Sequence, residues 1–464
     1  MKDFNIVAYG SDSYKLSHHG FYPKGLQVVQ SYCESRPGGM FDEIVFFGLQ
    51  YILKEYLCGQ VVTKEKIDEA EELANAHLGP YIFNRAGWEY ILKKHNGYLP
   101  IEIWGVSEGT VHPPGTPLFT IQNTDENVPW LTNYLETMLM QVWSPTTVAT
   151  GSREVKKIID RYLEKTGDPS TIDFKLHDFG FRGTSSPETA ALAGAAHLVN
   201  FQGTDTMAAL ALLRDYYTPH SEFNNTHTIS GFSIPATEHS VMTMGGPDGE
   251  REIVNRILDA HPTGLVACVI DSYDTIRFIK EVIGGDPTLV KEILDRDGTL
   301  VFRPDSGDLP MIDLDVFWAL EEVFGTTVNE KGYKVLPLQV RMIQGDGIKW
   351  TKMPTMSNYN NHESTVELIL QAFKDNMISA DNIAFGSGGG LLQQWDRDSL
   401  RFAIKCCTAK IDGEWHDIFK KPATDPSKNS KRGFIRPDNF GLIYKDGLLI
   451  YQQSLIGIRK RASL

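Results

Sequence analysis

The sequence has few cysteines and fewer basic than acidic residues. Its five cysteines are an odd number without a CxxC pair, which argues against a disulfide framework and a zinc site. The 45 lysines and arginines are outnumbered by 59 aspartates and glutamates. The formal charge of −14 disfavours a general nucleic-acid binder, which needs basic surface for phosphates. We therefore expect no nucleic-acid partner and a reducing compartment.

Long hydrophobic runs are also missing. No segment approaches the roughly 18 apolar residues of a membrane helix, and residues 1–7 have no stretch typical of a signal peptide. We therefore expect a cytoplasmic protein without membrane contact. The hydrophobic content of 41% supports a large core, and 464 residues exceed one ordinary domain, so we expect two domains.

Short apolar runs alternate with helical stretches between residues 174 and 393. Clusters of Gly, Asp, Arg or His end these runs at intervals of roughly 30–40 residues, the length of one βα unit. The pattern predicts an α/β fold with an irregular parallel (β/α) barrel, although an open doubly wound sheet would give similar runs. The runs expected as buried parallel strands are Val266–Ile270, Leu300–Phe302, Val340–Ile343 and Ile383–Phe385.

The flanking segments predict a mixed, largely antiparallel β domain. Helical spacing occurs in residues 46–57 and 130–143, and β-like runs occur in residues 101–120. Asp412-Gly413 and Asp446-Gly447 each separate two β-like runs, as in tight hairpins.

The β-like runs of the two terminal segments lead to one domain assignment. We predict that residues 1–168 and 398–464 form one discontinuous domain, and that residues 169–397 form the barrel domain.

A glycine-rich turn follows the last predicted barrel strand. In Gly386-Ser387-Gly388-Gly389-Gly390, the missing side chains would let the backbone approach a phosphate. Leu391 stands where a Rossmann fingerprint has its third glycine, and no Walker GK[ST] sequence occurs. A plain turn is the alternative interpretation.

Charged residues end two other strands. Arg303-Pro304-Asp305-Ser306-Gly307 offers a cation for a phosphate or carbonyl oxygen, and a carboxylate for ribose hydroxyls or a metal-bound water. A mutual surface ion pair is the alternative. Gly345-Asp346-Gly347 repeats the pattern, but the same residues are common in turns.

Two further candidates are an Asp–His pair and an aromatic residue on a loop flanked by glycine. Asp271 ends a buried strand and needs a partner, for which His239 is one candidate. Phe179 lies between loop residues rich in glycine and could stack on a flat heterocycle, or simply anchor its loop.

In this order, the motifs resemble the nicotinamide phosphoribosyltransferase family, the type II phosphoribosyltransferases of NAD salvage. The resemblance covers nearly the whole chain. It is carried by Asp12-Ser13-Tyr14-Lys15, residues 47–53, His177-Asp178-Phe179-Gly180-Phe181-Arg182-Gly183, His197-Leu198-Val199-Asn200-Phe201, Gly203-Thr204-Asp205-Thr206, Glu238-His239-Ser240, Asp271-Ser272-Tyr273-Asp274, Arg303-Pro304-Asp305-Ser306-Gly307, residues 343–347 and residues 383–393.

The resemblance implies a reaction and a base site. Nicotinamide and phosphoribosyl pyrophosphate would give nicotinamide mononucleotide and pyrophosphate, with Mg²⁺ bound through the substrate pyrophosphate. Phe179 and Tyr14 of a partner subunit would sandwich the pyridine ring, Asp205 would accept from the carboxamide, and Arg303 would face its oxygen. By the same resemblance, Arg182 would belong to this pocket. An ionised Asp205 would repel nicotinate.

The resemblance also implies ribose and phosphate contacts. Asp305, Gly345 and Asp346 would hold the ribose hydroxyls, and Gly388 and Gly389 the 5′-phosphate. The basic residues expected at the pyrophosphate and neighbouring phosphates, partly across a homodimer interface, are Arg36, Arg397, Lys405, Lys420 and Lys428.

By the same resemblance, ATP is a possible activator or co-substrate. It would phosphorylate His239 with support from Asp271, so we take His239, Asp271 and Asp305 as the catalytic residues. The sequence departs from the family pattern at Ala403 and Lys421, and the tail after Arg436 matches poorly.

Three rival functions remain at this stage. A nicotinate phosphoribosyltransferase is disfavoured by the charge of Asp205. A non-catalytic binding protein on the same fold would not need the full set of charged residues. A metal-dependent barrel hydrolase is disfavoured because the sequence has no HxH or HExxH motif.

Overall fold

The computed structural model describes residues 4–219, 229–351 and 363–463. Within them the chain forms two compact units. The described residues of the first lie within Met1–Thr150, Leu213–Asn224 and Trp395–Ser463, and those of the second lie within Gly151–Leu212 and Asn225–Gln394. The first division between the units, after Thr150, falls inside the long helix Trp143–Thr166. The domain boundaries expected at 168/169 and 397/398 stay a prediction.

The strands run in chain order through both units. They are β1 Leu26–Ser35, β2 Ile44–Val45, β3 Ile101–Gly105, β4 Val111–His112, β5 Pro117–Asn123, β6 Leu176–Asp178, β7 Gly203–Thr204, β8 Thr263–Val269, β9 Asp297–Arg303, β10 Thr327–Val328, β11 Lys334–Val335, β12 Val340–Gln344, β13 Ile383–Ser387, β14 Phe402–Ile411, β15 Glu414–Asp417, β16 Gly441–Lys445 and β17 Leu448–Leu449.

The helices vary from one turn to more than six. They are α1 Ile6–Tyr9, α2 Leu49–Ile52, α3 Lys64–Leu78, α4 Arg85–Lys94, α5 Leu131–Tyr134, α6 Glu136–Met140, α7 Trp143–Thr166, α8 Pro187–His197, α9 Met207–Tyr217, α10 His239–Met242, α11 Glu250–Ala260, α12 Thr275–Arg277, α13 Pro287–Asp295, α14 Met311–Phe324, α15 Thr365–Asp375, α16 Gly389–Leu392 and α17 Leu455–Ala462.

The first unit is built on an antiparallel sheet in the order β15-β14-β1-β5-β3-β16-β17. Strand β1 lies between β14 and β5, while β3 pairs with both β5 and β16. Strands from both ends of the sequence therefore share one sheet, which confirms the expected antiparallel β domain formed by the terminal segments.

The two predicted hairpins are confirmed. They join β14 to β15 and β16 to β17. Asp412 and Gly413 have φ angles of +50° and +86°, and Asp446 and Gly447 have +47° and +84°. Two successive positive φ angles define the turn whose twist matches that of the flanking strands, and aspartate followed by glycine tolerates them best.

The second unit contains six parallel strands in the order β7-β6-β13-β12-β9-β8. Phe232 pairs with Gly203 of β7, and Ala236 pairs with Ala267 of β8, both in parallel. The segment 232–236 therefore links the two outer strands, which an open sheet would leave apart. The expected irregular parallel barrel is confirmed, with an extended segment in place of one regular strand.

Small and β-branched side chains line the barrel interior. Ala267, Val301 and Ile343 come from three adjacent strands and are buried together, with Ile234 and Ala384 packed against them. Side chains of alternate residues point inward along a strand, so each strand contributes to this core and to the helical layer outside.

Serine side chains cap the first turns of helices α8 and α15. Ser186 accepts from Thr189 N–H before Pro187 opens α8, and Ser364 accepts from Glu367 N–H at α15. Each cap satisfies an N–H group that lacks a partner within the helix.

Three predicted elements differ from the structure. The helix expected over residues 46–57 begins only at Leu49, because Gly48 has φ +104°, which is not a helical conformation. Glycine suits this position, since a Cβ there would lie 2.3 Å from Pro145 Cγ. Residues 130–143 form two short helices before α7 instead of one. The tail is not entirely β: α17 buries Leu455, Ile458 and Ala462 at helical spacing.

No helix among the described residues is long and apolar enough to span a membrane. All five cysteines are free thiols. Cys407 is buried on β14, and burial raises its pKa to about 12. Such a thiol remains protonated and behaves as a small apolar side chain.

Hairpin geometry leads to a first prediction. Gly447→Ala should lower the free energy of unfolding by about 2–4 kcal/mol, since the new Cβ adds a clash to the cost of positive φ. That Cβ would lie 2.3 Å from Tyr98 Cδ1. Urea unfolding followed by circular dichroism measures the change.

Gly413→Ala is the matched control. Its φ is also strongly positive, but a Cβ there has no neighbour within 4 Å. It should lose only about 1 kcal/mol for the left-handed conformation. Equal losses in the two variants would contradict the role of Tyr98.

Candidate active site

The carboxyl ends of the parallel strands border a pocket of ≈ 690 Å³ in the second unit. Loops after five strands and helix α10 supply its walls. The lining residues are Phe179, Phe181, Arg182, Gly183, Asp205, Thr206, Glu238, His239, Ser240, Arg303, Asp305, Gly345, Asp346, Gly388 and Gly389. This is the rim where parallel barrels carry their chemistry.

Phe179 presents an aromatic ring directly after β6. Its N–H donates to the carbonyl of Ser387 at 2.9 Å, so the strand register carries over into the loop. The ring lies against Gly386, where a Cβ would be 2.0 Å from Phe179 Cε2. Because Gly386 has no side chain, the ring of Phe179 can occupy the space beside it. A flat ligand could stack on this ring.

Asp205 brings a carboxylate to the same pocket after β7. Its N–H donates to the carbonyl of Asp178 at 2.9 Å, and its Oδ1 accepts a short hydrogen bond from the hydroxyl of Ser233. An ionised aspartate has no hydrogen to donate and several lone pairs. The carboxylate therefore retains acceptor capacity for an N–H group of a ligand.

Arg303 is the cation beside the ring. Its Cζ lies 5.9 Å from the centroid of Phe179, and its Nε is 3.9 Å from Asp305 Oδ1. The Nε–H is buried without a hydrogen-bond partner among the described residues. Because a buried donor without a partner is costly, this group is suited to a ligand oxygen.

The loop after β9, which carries Asp305, lies against the loop after β12, which carries Asp346. The N–H of Gly345 donates to the carbonyl of Pro304 at 3.0 Å. A Cβ on Gly345 would lie 2.2 Å from Asp305 Oδ1, so glycine is required for this approach. The two carboxylates together provide hydrogen-bond acceptors for neighbouring hydroxyl groups.

His239 and Asp271 form the pair that the sequence suggested. The distance from His239 Nε2 to Asp271 Oδ1 is 3.1 Å. Asp271 Oδ2 accepts from the hydroxyl of Ser306 at 2.5 Å and from the N–H of Asp305 at 3.2 Å. The side chain of Asp271 is buried while that of His239 is half exposed, so the aspartate fixes an imidazole that ligands can reach.

The remaining predicted residues lie in the first unit. Tyr14 and Lys405 line a separate pocket of ≈ 410 Å³ there, with Lys15, His18 and Glu136. Tyr14 is 59% exposed, which leaves its ring available to another molecule. The other basic residues pair with acids: Arg36 with Glu34, Arg397 with Asp398 and Lys428 with Asp425, while Lys420 is exposed.

The described residues contain no group of three or more His, Cys, Asp or Glu side chains arranged for a metal ion. The pocket nevertheless presents the carboxylates of Asp305 and Asp346. Oxygen ligands in this number suit a Mg²⁺ ion that keeps most of its coordination on substrate phosphates and water.

Two family models match this chain, one near its N-terminus and one over more than half of its length. A family model described as the nicotinate phosphoribosyltransferase (NAPRTase) family matches residues 174–449. A second, described as the N-terminal domain of nicotinamide phosphoribosyltransferase, matches residues 5–103. A nicotinamide phosphoribosyltransferase of Xanthomonas campestris pv. campestris is 46% identical over 428 residues, covering 91% of this chain and 85% of the relative.

The chain belongs to the nicotinamide phosphoribosyltransferase family.

More distant members of this family also match over nearly their full length. The nicotinamide phosphoribosyltransferase of Mycoplasma pneumoniae is 32% identical, covering 93% of this chain and 95% of the relative. That of Acinetobacter baylyi is 31% identical, covering 95% of this chain and 89% of the relative. The family assignment therefore holds for both units.

Solved structures support the fold. Human nicotinic acid phosphoribosyltransferase has a TM-score of 0.55 at 14% identity, covering 97% of this chain and 92% of that structure. The nicotinate-nucleotide pyrophosphorylase of Pyrococcus furiosus has a TM-score of 0.54 at 14% identity, covering 100% and 97%. At this identity the likeness concerns the arrangement of the strands and helices alone.

The structure thus brings ten of the predicted site residues to one pocket of this family member, with Asp271 behind His239. Their individual roles stay predictions. Ser233 and Asp178, which contact Asp205, had no role predicted from the sequence. Asp178 stood within a recognised motif, but Ser233 had no signal because the segment 232–236 has no strand-like pattern.

The contact between Phe179 and Gly386 leads to a second prediction. Gly386→Ala should lower the melting temperature by several degrees, because the new methyl group would overlap the ring. Adding Phe179→Ala should restore part of the loss. Thermal unfolding of the single and double variants measures this coupling.

Gly389→Ala, three residues further along the chain at the start of α16, provides the control. A Cβ there would have its nearest neighbour at 3.4 Å, an ordinary contact. It should leave the melting temperature nearly unchanged. A Gly386→Ala protein as stable as the parent would refute the close approach of ring and strand.

Proposed function

We propose that this protein transfers the phosphoribosyl group of phosphoribosyl pyrophosphate to nicotinamide, yielding nicotinamide mononucleotide and pyrophosphate in NAD salvage. The observation that carries the proposal is the meeting of Phe179, Asp205 and Arg303 in one pocket. Membership of a family whose relatives bear the name nicotinamide phosphoribosyltransferase supports it.

An uncharged pyridine carboxamide fits these three groups. The pyridine ring stacks on Phe179, the carboxamide NH₂ donates to Asp205, and the carboxamide oxygen accepts from the unpartnered Nε–H of Arg303. Ser233 occupies one oxygen of Asp205 and holds its carboxylate in place. Arg182, which is exposed and lines the same pocket, adds positive charge near the base.

The ribose and its 5′-phosphate bind to the loops after β9, β12 and β13. Asp305 and Asp346 accept from the ribose hydroxyls, with the backbone of Gly345 alongside, and the backbone at Gly388 and Gly389 faces the phosphate. A Cβ on Gly388 would have no neighbour nearer than 3.9 Å, so its missing side chain leaves space there. Glycine lets the backbone N–H groups approach an anion closely.

Orientation and charge stabilisation account for the chemistry. The bond from ribose C1 to pyrophosphate breaks with oxocarbenium character, as in glycoside cleavage, while the pyridine nitrogen attacks C1. Holding base and sugar together converts the encounter into an intramolecular step. Mg²⁺, held by the pyrophosphate with Asp305 and Asp346 as candidate protein ligands, would neutralise charge on the leaving group.

The proposal includes a cytoplasmic homodimer with shared sites. In it, the exposed ring of Tyr14 covers the second face of the pyridine in the other copy. Lys405 and the other basic residues of the first unit, Arg36, Arg397, Lys420 and Lys428, face the phosphates. The exposure of Tyr14 and its shared pocket with Lys405 support this part of the proposal.

His239 provides a second reaction with ATP. Asp271 orients the half-exposed imidazole at 3.1 Å from Nε2, leaving Nδ1 to attack the γ-phosphate. The bond from the γ-phosphorus to the bridging oxygen breaks, so ADP leaves and a phosphohistidine remains. Its hydrolysis could then be coupled to nucleotide synthesis.

A nicotinate phosphoribosyltransferase is the second candidate, because the larger family model carries that description. Nicotinate has a carboxylate where nicotinamide has the carboxamide. An ionised Asp205 would face this carboxylate across the pocket, and like charges at short range are unfavourable. Arg303 attracts both bases, so Asp205 decides between them.

The identity of the base leads to a third prediction. Asp205→Asn should lower kcat/KM for nicotinamide by roughly 10- to 100-fold, the effect of losing a hydrogen bond to a charged group. Activity with nicotinate should rise or stay constant, because the repulsive charge is gone. Chromatography of the mononucleotide formed from each base, with Mg²⁺ and phosphoribosyl pyrophosphate, measures both.

Asp215→Asn is the matched control, since Asp215 is an exposed aspartate on α9 paired with Arg214. It should keep the parental ratio of the two activities. If the parent protein forms only nicotinate mononucleotide, or if Asp205→Asn keeps the full preference for nicotinamide, the proposed base is wrong.

The ATP reaction leads to a fourth prediction. Incubation with γ-labelled ATP should label the parent protein, and the label should be lost in acid, as expected for phosphohistidine. His239→Ala should abolish labelling, and Asp271→Asn should slow it because the imidazole loses its partner. Scintillation counting after gel electrophoresis measures the label.

His416→Ala serves as the control, because His416 lies on the exposed strand β15. It should be labelled like the parent protein. Persistence of the label in His239→Ala would assign the phosphate to another residue.

A further inference from the structure

The loops that carry Phe179 and Asp205 share one buried carboxylate. Asp178 is the last residue of β6 and is fully buried. Its Oδ1 accepts from the N–H of Gly180 at 2.7 Å, and its Oδ2 accepts from the hydroxyl of Thr204 at 3.2 Å. One side chain therefore connects the loop after β6 to the end of β7.

The backbone of Asp178 strengthens the same connection. Its carbonyl accepts from the N–H of Asp205 at 2.9 Å, and the hydroxyl of Thr204 accepts from the N–H of Thr206 at 3.0 Å. The residues on both sides of Asp205 are thus linked to Asp178, one directly and one through Thr204. Phe179 is the covalent neighbour of Asp178 on the other side.

Helix α8 encloses this carboxylate. A Cβ on Gly194 would lie 2.9 Å from Asp178 Oδ2 and 2.9 Å from Ala209 Cβ, so the helix backbone packs directly over it. Burial raises the pKa of Asp178 to about 6, against the effect of the hydrogen bond from Gly180. An enclosed carboxylate is an unfavourable choice for stability alone, and its hydrogen bonds must compensate.

We propose that Asp178 is a positioning residue for the base, which fixes the separation between the ring of Phe179 and the carboxylate of Asp205. The inference rests on the proposed function and deepens it. Asp178 does not line the pocket. It acts through the two loops, whose residues must hold the base in one orientation relative to the ribose.

A carboxylate performs this task better than an amide. Both of its oxygens accept, so it receives the Gly180 N–H and the Thr204 O–H at once. An asparagine has one accepting oxygen and would present an NH₂ group to one of the two donors. The hydroxyl of Thr204 could turn to accept from it, but would then lose its own acceptor.

The test separates positioning from stability by comparing two Michaelis constants. In Thr204→Val and Asp178→Asn, KM for nicotinamide should rise about tenfold, the equivalent of one hydrogen bond to a charged group. KM for phosphoribosyl pyrophosphate should stay within about twofold, because the ribose and phosphate loops keep their contacts. Thr204→Ser retains the hydroxyl and should behave like the parent.

Thr166→Val is the matched control. Thr166 is a buried threonine whose hydroxyl accepts from the N–H of Ala380, before the amino end of β13. It undergoes the same chemical change at the other end of the barrel. Its melting temperature should fall as in Thr204→Val, with both Michaelis constants unchanged.

Amide hydrogen exchange tests the connection without turnover. Peptides containing Gly180 and Asp205 should exchange faster in Thr204→Val and Asp178→Asn, and at the parental rate in Thr204→Ser and Thr166→Val. Faster exchange at these amides supports the inference even if the parent protein proves inactive with nicotinamide, which would refute only the proposed function.

Two results would overturn the inference. One is an equal rise of both Michaelis constants in Thr204→Val, which would indicate a general disturbance of the pocket. The other is unchanged exchange at Gly180 and Asp205, which would mean that the loops keep their places without the carboxylate.

Discussion

The parallel pairing of β6 with β7 and β13 is the constraint on which the pocket depends. Asp178 lies opposite Thr204 on one side and Ser387 on the other. Because the three strands run in the same direction, their following loops leave the sheet at the same edge. Phe179, Asp205 and Gly388 are therefore brought together, although more than 200 residues separate the first from the last.

Close backbone approach refines what strand pairing establishes. Gly386 leaves space for the ring of Phe179, Gly345 leaves space for Asp305, and Gly194 leaves space for Asp178. At each position the glycine has no side chain where the neighbouring functional group lies. These glycines act through the volume they leave empty, and each belongs to a different loop, strand or helix of the barrel.

Under the proposed function, selectivity would follow from one arrangement of charges. Asp205 and Arg303 lie on the same pocket, so a ligand that donates to one and accepts from the other is favoured over a ligand that only accepts. The hydroxyl of Ser233 donates to the carboxylate of Asp205, and the carbonyl of Asp178 accepts from the N–H of Asp205. The proposed reaction would then need few groups in contact with the base, supported by a larger set that maintains their orientation.

Local patterns and motif resemblance could predict three features: the strand–helix alternation, most of the pocket residues, and the hairpin turns at Asp412-Gly413 and Asp446-Gly447. Buried strands, tight turns and charged strand ends all have signatures that span only a few residues. Only the tertiary structure decided that the segment 232–236 links β7 to β8, that Ser233 meets Asp205, and that Asp178 joins two loops. These contacts depend on strand register and on the space left by distant glycines, which no local pattern encodes.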